Sequence, residues 1–437
     1  MRAPSASPNV GSILRATQKV SYVKKRSFAL PTALVCAVTL GGCGVLPGGS
    51  QKTAVDIWLM RDSVSDEFLE RFTSAYEKEH PSVELNVTFQ EWTGIGKKVM
   101  TVLESDDAPE VIEVGNTQVA QYAQSDALRD LTLEAVRDLG SEEWLPGLAE
   151  PGSINGSQYG IPWYAANRVV IYNKDLFAAA GIPQPPKNRD EWLGISEKLD
   201  GNGRQGIYLS GQDWYTLAGF VWDEGGQLAV EKGGNWEGAL HTKAALRGMA
   251  FYKELQSHGD GPKGADEVTP PQANVFAKGD VAQIIAVPSA VPAIEKANPA
   301  LKGKLGFFPV PGRTAEAPGA VFIGGSDLIV PENARERSAG VEVVKALASE
   351  KWQTELALAM NYVPNKTTLA GVIEGNEGTA AMAAGAAQGR ATPNSPQWAA
   401  VEADNPIKPY MTAVLQGQDP AREARAASGR ITAALRP

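Results

Sequence analysis

The chain has 437 residues, 43% of them hydrophobic and 21% charged, the composition of packed domains and not of a disordered chain. Its formal net charge is −9, and the basic residues Arg2, Arg15, Lys19, Lys24, Lys25 and Arg26 all precede residue 43, in a stretch without Asp or Glu. Without that stretch the chain is more acidic still, which argues against nucleic acid and anionic lipid surfaces as partners.

The N-terminus reads as an export signal. Lys24-Lys25-Arg26 is its charged region, and 28–40 is an apolar run too short to span a bilayer comfortably. The run ends in Leu40-Gly41-Gly42-Cys43, which resembles a lipobox, so Cys43 is the expected lipidation site after cleavage before it. Cys36 would be lost with the signal, leaving one thiol and no disulfide. Residues 45–53, rich in Gly, Pro and Ser, read as a tether.

Strands are expected at 54–60, 83–90 and 109–114, with helices at 66–79 and about 94–104 and another opening at Gly115-Asn116-Thr117-Gln118. Ser63 or Ser65 can cap the first helix, and Pro81 stops it. This alternation argues for βαβ units and a mainly parallel sheet, whose ligands sit beyond the carboxyl ends of the strands. That rule selects Asp62, Glu91, Trp92, Asn116 and Gln118. Asn155-Gly156 signals a type I′ turn, so 153–161 reads as a short hairpin. Next comes Pro162-Trp163-Tyr164-Ala165-Ala166, then an apolar strand at 169–172. This segment reads as a crossover that shows aromatic faces to a cleft before entering a second lobe. Helices follow at 189–199, 214–225 and 241–258, and strands at 206–210, 281–287 and 305–310. The stretch 320–330 reads as a second crossing, 334–348 and 352–360 as helices of the first lobe, and 361–365 as a third crossing.

The stretch "YGIPWYAANRVVIYNKDLF" at 159–177 resembles the first inter-lobe crossover of the extracellular solute-binding proteins of sugar ABC importers, the maltose-binding-protein type. The likeness runs from Val55 to the end, through "EVIEVGNTQ" at 110–118, "FIGGSDLIV" at 322–330 and "RATPNSPQW" at 390–398. The wording is most similar to actinobacterial lipoproteins for oligosaccharides such as chito- and cello-oligomers. The resemblance implies an α/β two-lobe periplasmic-binding-protein fold with three inter-lobe crossovers. Its expected divisions are 1–42 signal peptide, 43–53 tether, 54–163 with 321–361 as lobe 1, and 164–320 with 362–437 as lobe 2. It departs from the pattern at Val287-Pro288-Ser289, where many relatives carry a Gly-x-Trp whose indole stacks on sugar.

Other indoles must then supply that face. Trp163, Trp214 and Trp222 are the expected platforms with Tyr164 and Trp92 nearby, whereas Trp58 and Trp352 lie in periodic apolar segments and read as core. Sugar hydroxyls need planar polar groups in fixed directions, which adds Asp213 and Arg390 to the set. Asn116 could also serve as a helix N-cap, and Gly324-Gly325-Ser326 could bring backbone N–H groups to the ligand or simply bend the chain. His80, His241 and His258 fall in or beside amphipathic helices, and no nucleophile elbow, P-loop or zinc-binding helix motif occurs. Asp200-Gly-Asn-Gly-Arg-Gln205 fails as a calcium loop and reads as a turn.

The expectation is therefore a monomeric, membrane-anchored lipoprotein, not an enzyme and without metal or cofactor. It would bind an oligosaccharide by hinge closure and deliver it to an ABC permease. Two alternatives stand beside it. A secreted carbohydrate-active enzyme would need two carboxylates roughly 5–9.5 Å apart across the cleft. A binding protein for glycerol-phosphate or a peptide would need a basic cluster or anchors for peptide termini.

Overall fold

The computed structural model describes residues 52–436 except Thr93. The export signal, the lipobox with Cys43 and nearly all of the tether lie outside the described residues. In chain order the strands are β1 Thr53–Met60, β2 Val83–Gln90, β3 Val111–Gly115, β4 Ser153–Ile154, β5 Ser157–Gln158, β6 Ile161–Asn167, β7 Val169–Asn173, β8 Ala229–Lys232, β9 Asn235–Gly238, β10 Gln283–Ala286, β11 Leu305–Phe308, β12 Val321–Ile329, β13 Val363–Pro364 and β14 Gly389–Arg390.

A mixed sheet runs β13-β6-β12-β3-β1-β2, with β14 attached to β12. Its β1, β2 and β3 are mutually parallel, in register from Thr53↔Val83 to Met60↔Gln90. The crossover between β1 and β2 is the helix Asp66–Glu79, which Ser65 caps by accepting from the Phe68 N–H at 3.2 Å. Phe68, Phe72 and Tyr76 recur at four-residue spacing and are buried, and the first two pack against Trp352, whose ring meets Phe72 edge-on at 5.0 Å. Each such ring withdrawn from water contributes about 1.5–3 kcal/mol, so truncating Phe72 would loosen the helix from the sheet. The helix ends at His80, whose ring stacks on Tyr76, and Pro81 follows.

The Asn155-Gly156 turn is present, with φ of 53° and 86°, the two left-handed residues a type I′ hairpin requires. The next segment differs from expectation. Trp163 and Tyr164, expected to face a cleft from the crossover, lie in the middle of the buried strand β6, which pairs with β12 and β13. The chain changes sheet only at Arg168, after which β7 is the central strand of a three-stranded antiparallel sheet, β10-β7-β11. The expected strand at 206–210 makes only isolated bridges to the neighbourhood of β10. The reason lies in its hydrogen bonds, because Tyr208 donates to Gln283 O while Ile207 donates to His258 O. Helices Arg189–Leu199, Trp214–Asp223 and Lys243–Gln256 cover this second sheet. Trp192, Phe220 and Tyr252 are fully buried among them.

The long strand β12 positions the site. Successive residues of a strand point to opposite faces. Phe322 stacks on Tyr215 (4.3 Å) on one face, and Ser326 reaches Glu113 on the same face. Ile323 points the other way, so close to Gly389 that a Cβ there would collide with it.

Candidate functional site

The carboxyl end of β3 lies beside Ser326 of β12, and those of β1 and β2 follow it across the sheet. Beneath them lies Glu113, a fully buried carboxylate in the apolar strand β3. It accepts hydrogen bonds from Met60 N–H (2.7 Å), Ser63 Oγ (2.7 Å), Tyr164 OH (2.9 Å) and Ser326 Oγ (2.6 Å). Burial pushes its pKa up, against the pull of those four donors. Tyr164 stacks nearly parallel on Tyr362 at 4.1 Å, and the Tyr362 hydroxyl donates to Asp62 O at 3.4 Å. This cluster forms the floor of the cleft.

The opposing wall comes from loops and helices around the second sheet. Arg168, where the chain changes sheet, pairs with Glu267 (2.6 Å) and Asp213 (3.6 Å) and lies over the Tyr215 ring, 4.9 Å from its centroid. Asp213 also caps the helix Trp214–Asp223, accepting from Thr216 N–H and Oγ. Burial, then the nearness of Asp213, raises the Glu267 pKa. Trp214 and Tyr215 line a cavity of about 230 Å³ with Asp266, Glu267, Val268, Glu402, Asn405 and Lys408. Glu402 accepts from Trp398 Nε1 (2.8 Å) and from Thr117 Oγ (3.4 Å). Thr117 stands just past β3, so this contact joins the wall to the strand ends of the first sheet. Burial raises the Glu402 pKa to about 7. Lys408 pairs with Asp266 at 3.1 Å.

The expected site residues divide three ways. Trp214 lines the cavity, and Trp92, 45% exposed, stands at the end of β2 beside Glu91, which pairs with Arg61 at 2.5 Å. Asp62, Tyr164 and Ser326 join the floor, but the last two are buried and already bonded. Asn116 is spent as well. It is buried and donates to Ile323 O at 3.1 Å, and Gly115, not Asn116, is the N-cap residue of its helical turn. Gln118 accepts from Tyr122 OH at 3.3 Å. Gly325 is required by the close approach of β6, since a Cβ would strike Tyr164 O, and its backbone is not freed for a ligand. The third group lies elsewhere. Trp163 is fully buried in the core of the first sheet, which corrects its expected place in the cleft. Trp222 and Arg390 line a different groove, behind β12. Trp352 is core as expected, whereas Trp58 is only partly buried and lies under Lys98.

The family described as bacterial extracellular solute-binding protein matches residues 61–354. This chain belongs to that family. The diacetylchitobiose binding protein DasA of Streptomyces coelicolor is 36% identical over 384 residues, 87% of this chain and 89% of the relative. Among solved structures, the sugar-binding protein MalE of Xanthomonas citri superposes with a TM-score of 0.79 at 21% identity, covering 88% of this chain and 97% of that one. The GacH receptor of Streptomyces glaucescens gives 0.73 at 24% identity, covering 88% and 98%. The fold is thus the two-lobe arrangement of MalE-type proteins, with the cleft between its lobes. Among the described residues no helix is long and apolar enough to cross a membrane.

Several residues of this solute-binding protein's cleft escaped the sequence. Arg168 sits in the quoted crossover motif but reads as a strand flank, and Tyr215 stands beside Trp214. Glu113 had a visible signal, a lone acid in an otherwise apolar strand. Glu402, Glu267 and Lys408 had none, because they converge on the cavity only through tertiary packing.

Proposed function

We propose that this protein captures an oligosaccharide between its lobes and hands it to an ABC permease. The cavity at the strand ends supports this reading most. It sets Trp214 and Tyr215 beside Glu402, Asn405 and Lys408. Flat aromatic surfaces with planar polar groups match the apolar C–H face and the ring of hydroxyls of a pyranose. DasA, named for diacetylchitobiose, makes chito-oligosaccharides the first class to test.

A ligand that touches both walls favours the closed form by its differential affinity for it. Arg168, between β6 and β7, and Phe322, on β12, would transmit that preference. A phosphate ligand is disfavoured chemically, because Arg168 and Lys408 each already face carboxylates. Anchoring through a lipid on Cys43, with the protein monomeric on the outer face of the membrane, completes the proposal. Cys43→Ala should release the protein from membranes or leave it unprocessed. Membrane fractionation like that of the wild type, with normal processing, would contradict the anchor.

The function itself is tested by thermal shift against a panel of oligosaccharides, followed by recovery of the best ligand after hours of incubation. A ligand at 100 times its dissociation constant adds roughly 2.7 kcal/mol of stability. The sugar should come back intact. Protein-dependent shortening would place the molecule among carbohydrate-active enzymes instead.

A further inference from the structure

Behind β12, on the face opposite Phe322, lies a groove of about 930 Å³, four times the volume of the cleft cavity. Segments from both halves of the chain build it. Its floor is tight, since a Cβ on Gly147 would lie 2.8 Å from Gly389 O. One wall is pinned by Asn394, whose Nδ2 donates to Glu150 O and Ser153 O at 3.0 Å each. Its volume lies within the 300–1,000 Å³ usual for small-ligand sites.

The lining is what gives the groove a chemistry. Trp222 and Trp236 line it, one almost wholly buried and the other partly. Around them stand Glu150, Gln227, Glu231 and Arg390. Among the described residues, none of these four side chains has a hydrogen-bond or ion-pair partner. The charged groups of the cleft wall are, by contrast, partly engaged with one another or with neighbouring donors, Glu402 alone keeping lone pairs free beside its two donors. Unspent planar donors and acceptors beside indoles fit a polyhydroxylated ring. Two carboxylates against one guanidinium disfavour an anionic ligand.

We propose that this reverse groove, whose lining shares no residue with that of the cleft cavity, is a second saccharide site for a neutral glycan. It does not depend on which solute fills the cleft.

The experiment uses the full chain labelled with 5-fluorotryptophan and read by fluorine NMR, with diacetylchitobiose and cellobiose as probes. Resonances are assigned with Trp236→Phe and Trp214→Phe. At least one probe should shift the Trp236 signal on its own saturation curve, and this shift should persist in Tyr215→Ala, where the cleft wall is broken. Arg390→Ala and Gln227→Ala, at exposed positions that leave folding intact, should weaken that event at least fivefold. Both should leave the cleft event within twofold. The proposal is overturned if neither probe moves Trp236, if its shift vanishes in Tyr215→Ala, or if Arg390→Ala and Gln227→Ala change nothing. A Trp236 response with no cleft response would sink the cleft reading and leave the second site standing.

Discussion

Glu113 under the floor and Glu402 in the wall are both carboxylates withdrawn from water, and both are held above the usual carboxylate range by burial. A carboxylate offers about four lone-pair sites. Glu113 has four donors on it, from Met60, Ser63, Tyr164 and Ser326. Glu402 has two, from Trp398 and Thr117, and opens on a cavity. The floor is therefore saturated and its work is to hold β1, β3, β6 and β12 in register. The wall keeps bonding capacity for a ligand. Polarity inside a cleft does not by itself mark a contact residue; unspent polarity does.

The most damaging test of that contrast is on the floor side. Glu113→Ala leaves four donors facing a void, and breaking a buried charged cluster costs about 3–5 kcal/mol. Trp163→Ala, in the core next to it, should cost a similar 3–5 kcal/mol through cavity formation. Both losses are read by urea denaturation, and ligand affinity per folded molecule should hardly change. If either variant stayed as stable as the wild type but lost affinity, the floor would be a contact surface after all.

The wall should behave in the opposite way. Trp214→Ala and Tyr215→Ala should each weaken binding by about 2–4 kcal/mol, as at a buried hot spot. Equal loss of stability and affinity in these variants would blur the distinction between wall and floor.

The smallest expected effect is the pH dependence of the unliganded protein. Glu402 has its pKa raised from 4.5 to about 7, so the folded state holds the proton more tightly than the unfolded chain. Its stabilising share is complete below about pH 4.5 and is lost as the pH rises through about 7. Trp398, Thr117 and Tyr215 face the carboxylate, and Asp266, Glu267 and Lys408 share its cavity. Stability should decline from pH 5 to 8 less steeply in Glu402→Gln than in the wild type. Identical slopes would place Glu402 in water.

Much of this was legible in advance because it is local. The helix Asp66–Glu79 with its Ser65 cap, the Asn155-Gly156 hairpin and the strand ends at Asp62, Glu91 and Asn116 follow from periodicity, capping and turn chemistry. What failed was the side to which a crossing strand turns its residues. Trp163 and Tyr164 are neighbours in β6 and both belong to the core of the first sheet, but only Tyr164 also reaches the floor, where Glu113 and Tyr362 receive it. Trp222 and Arg390, expected in the cleft, line a different groove instead. The register of β12 against β6 shifts at Ser326/Asp327, a bulge that pattern reading does not see.

The central claim is that the wall around Tyr215 and Glu402 captures a saccharide. Calorimetric titration of diacetylchitobiose into the wild type and into Tyr215→Ala tests it most directly. The account predicts saturable binding by the wild type and a loss of at least about thirtyfold in the variant, the lower end of the 2–4 kcal/mol expected for the wall. Saturable binding of equal strength in both proteins would contradict it.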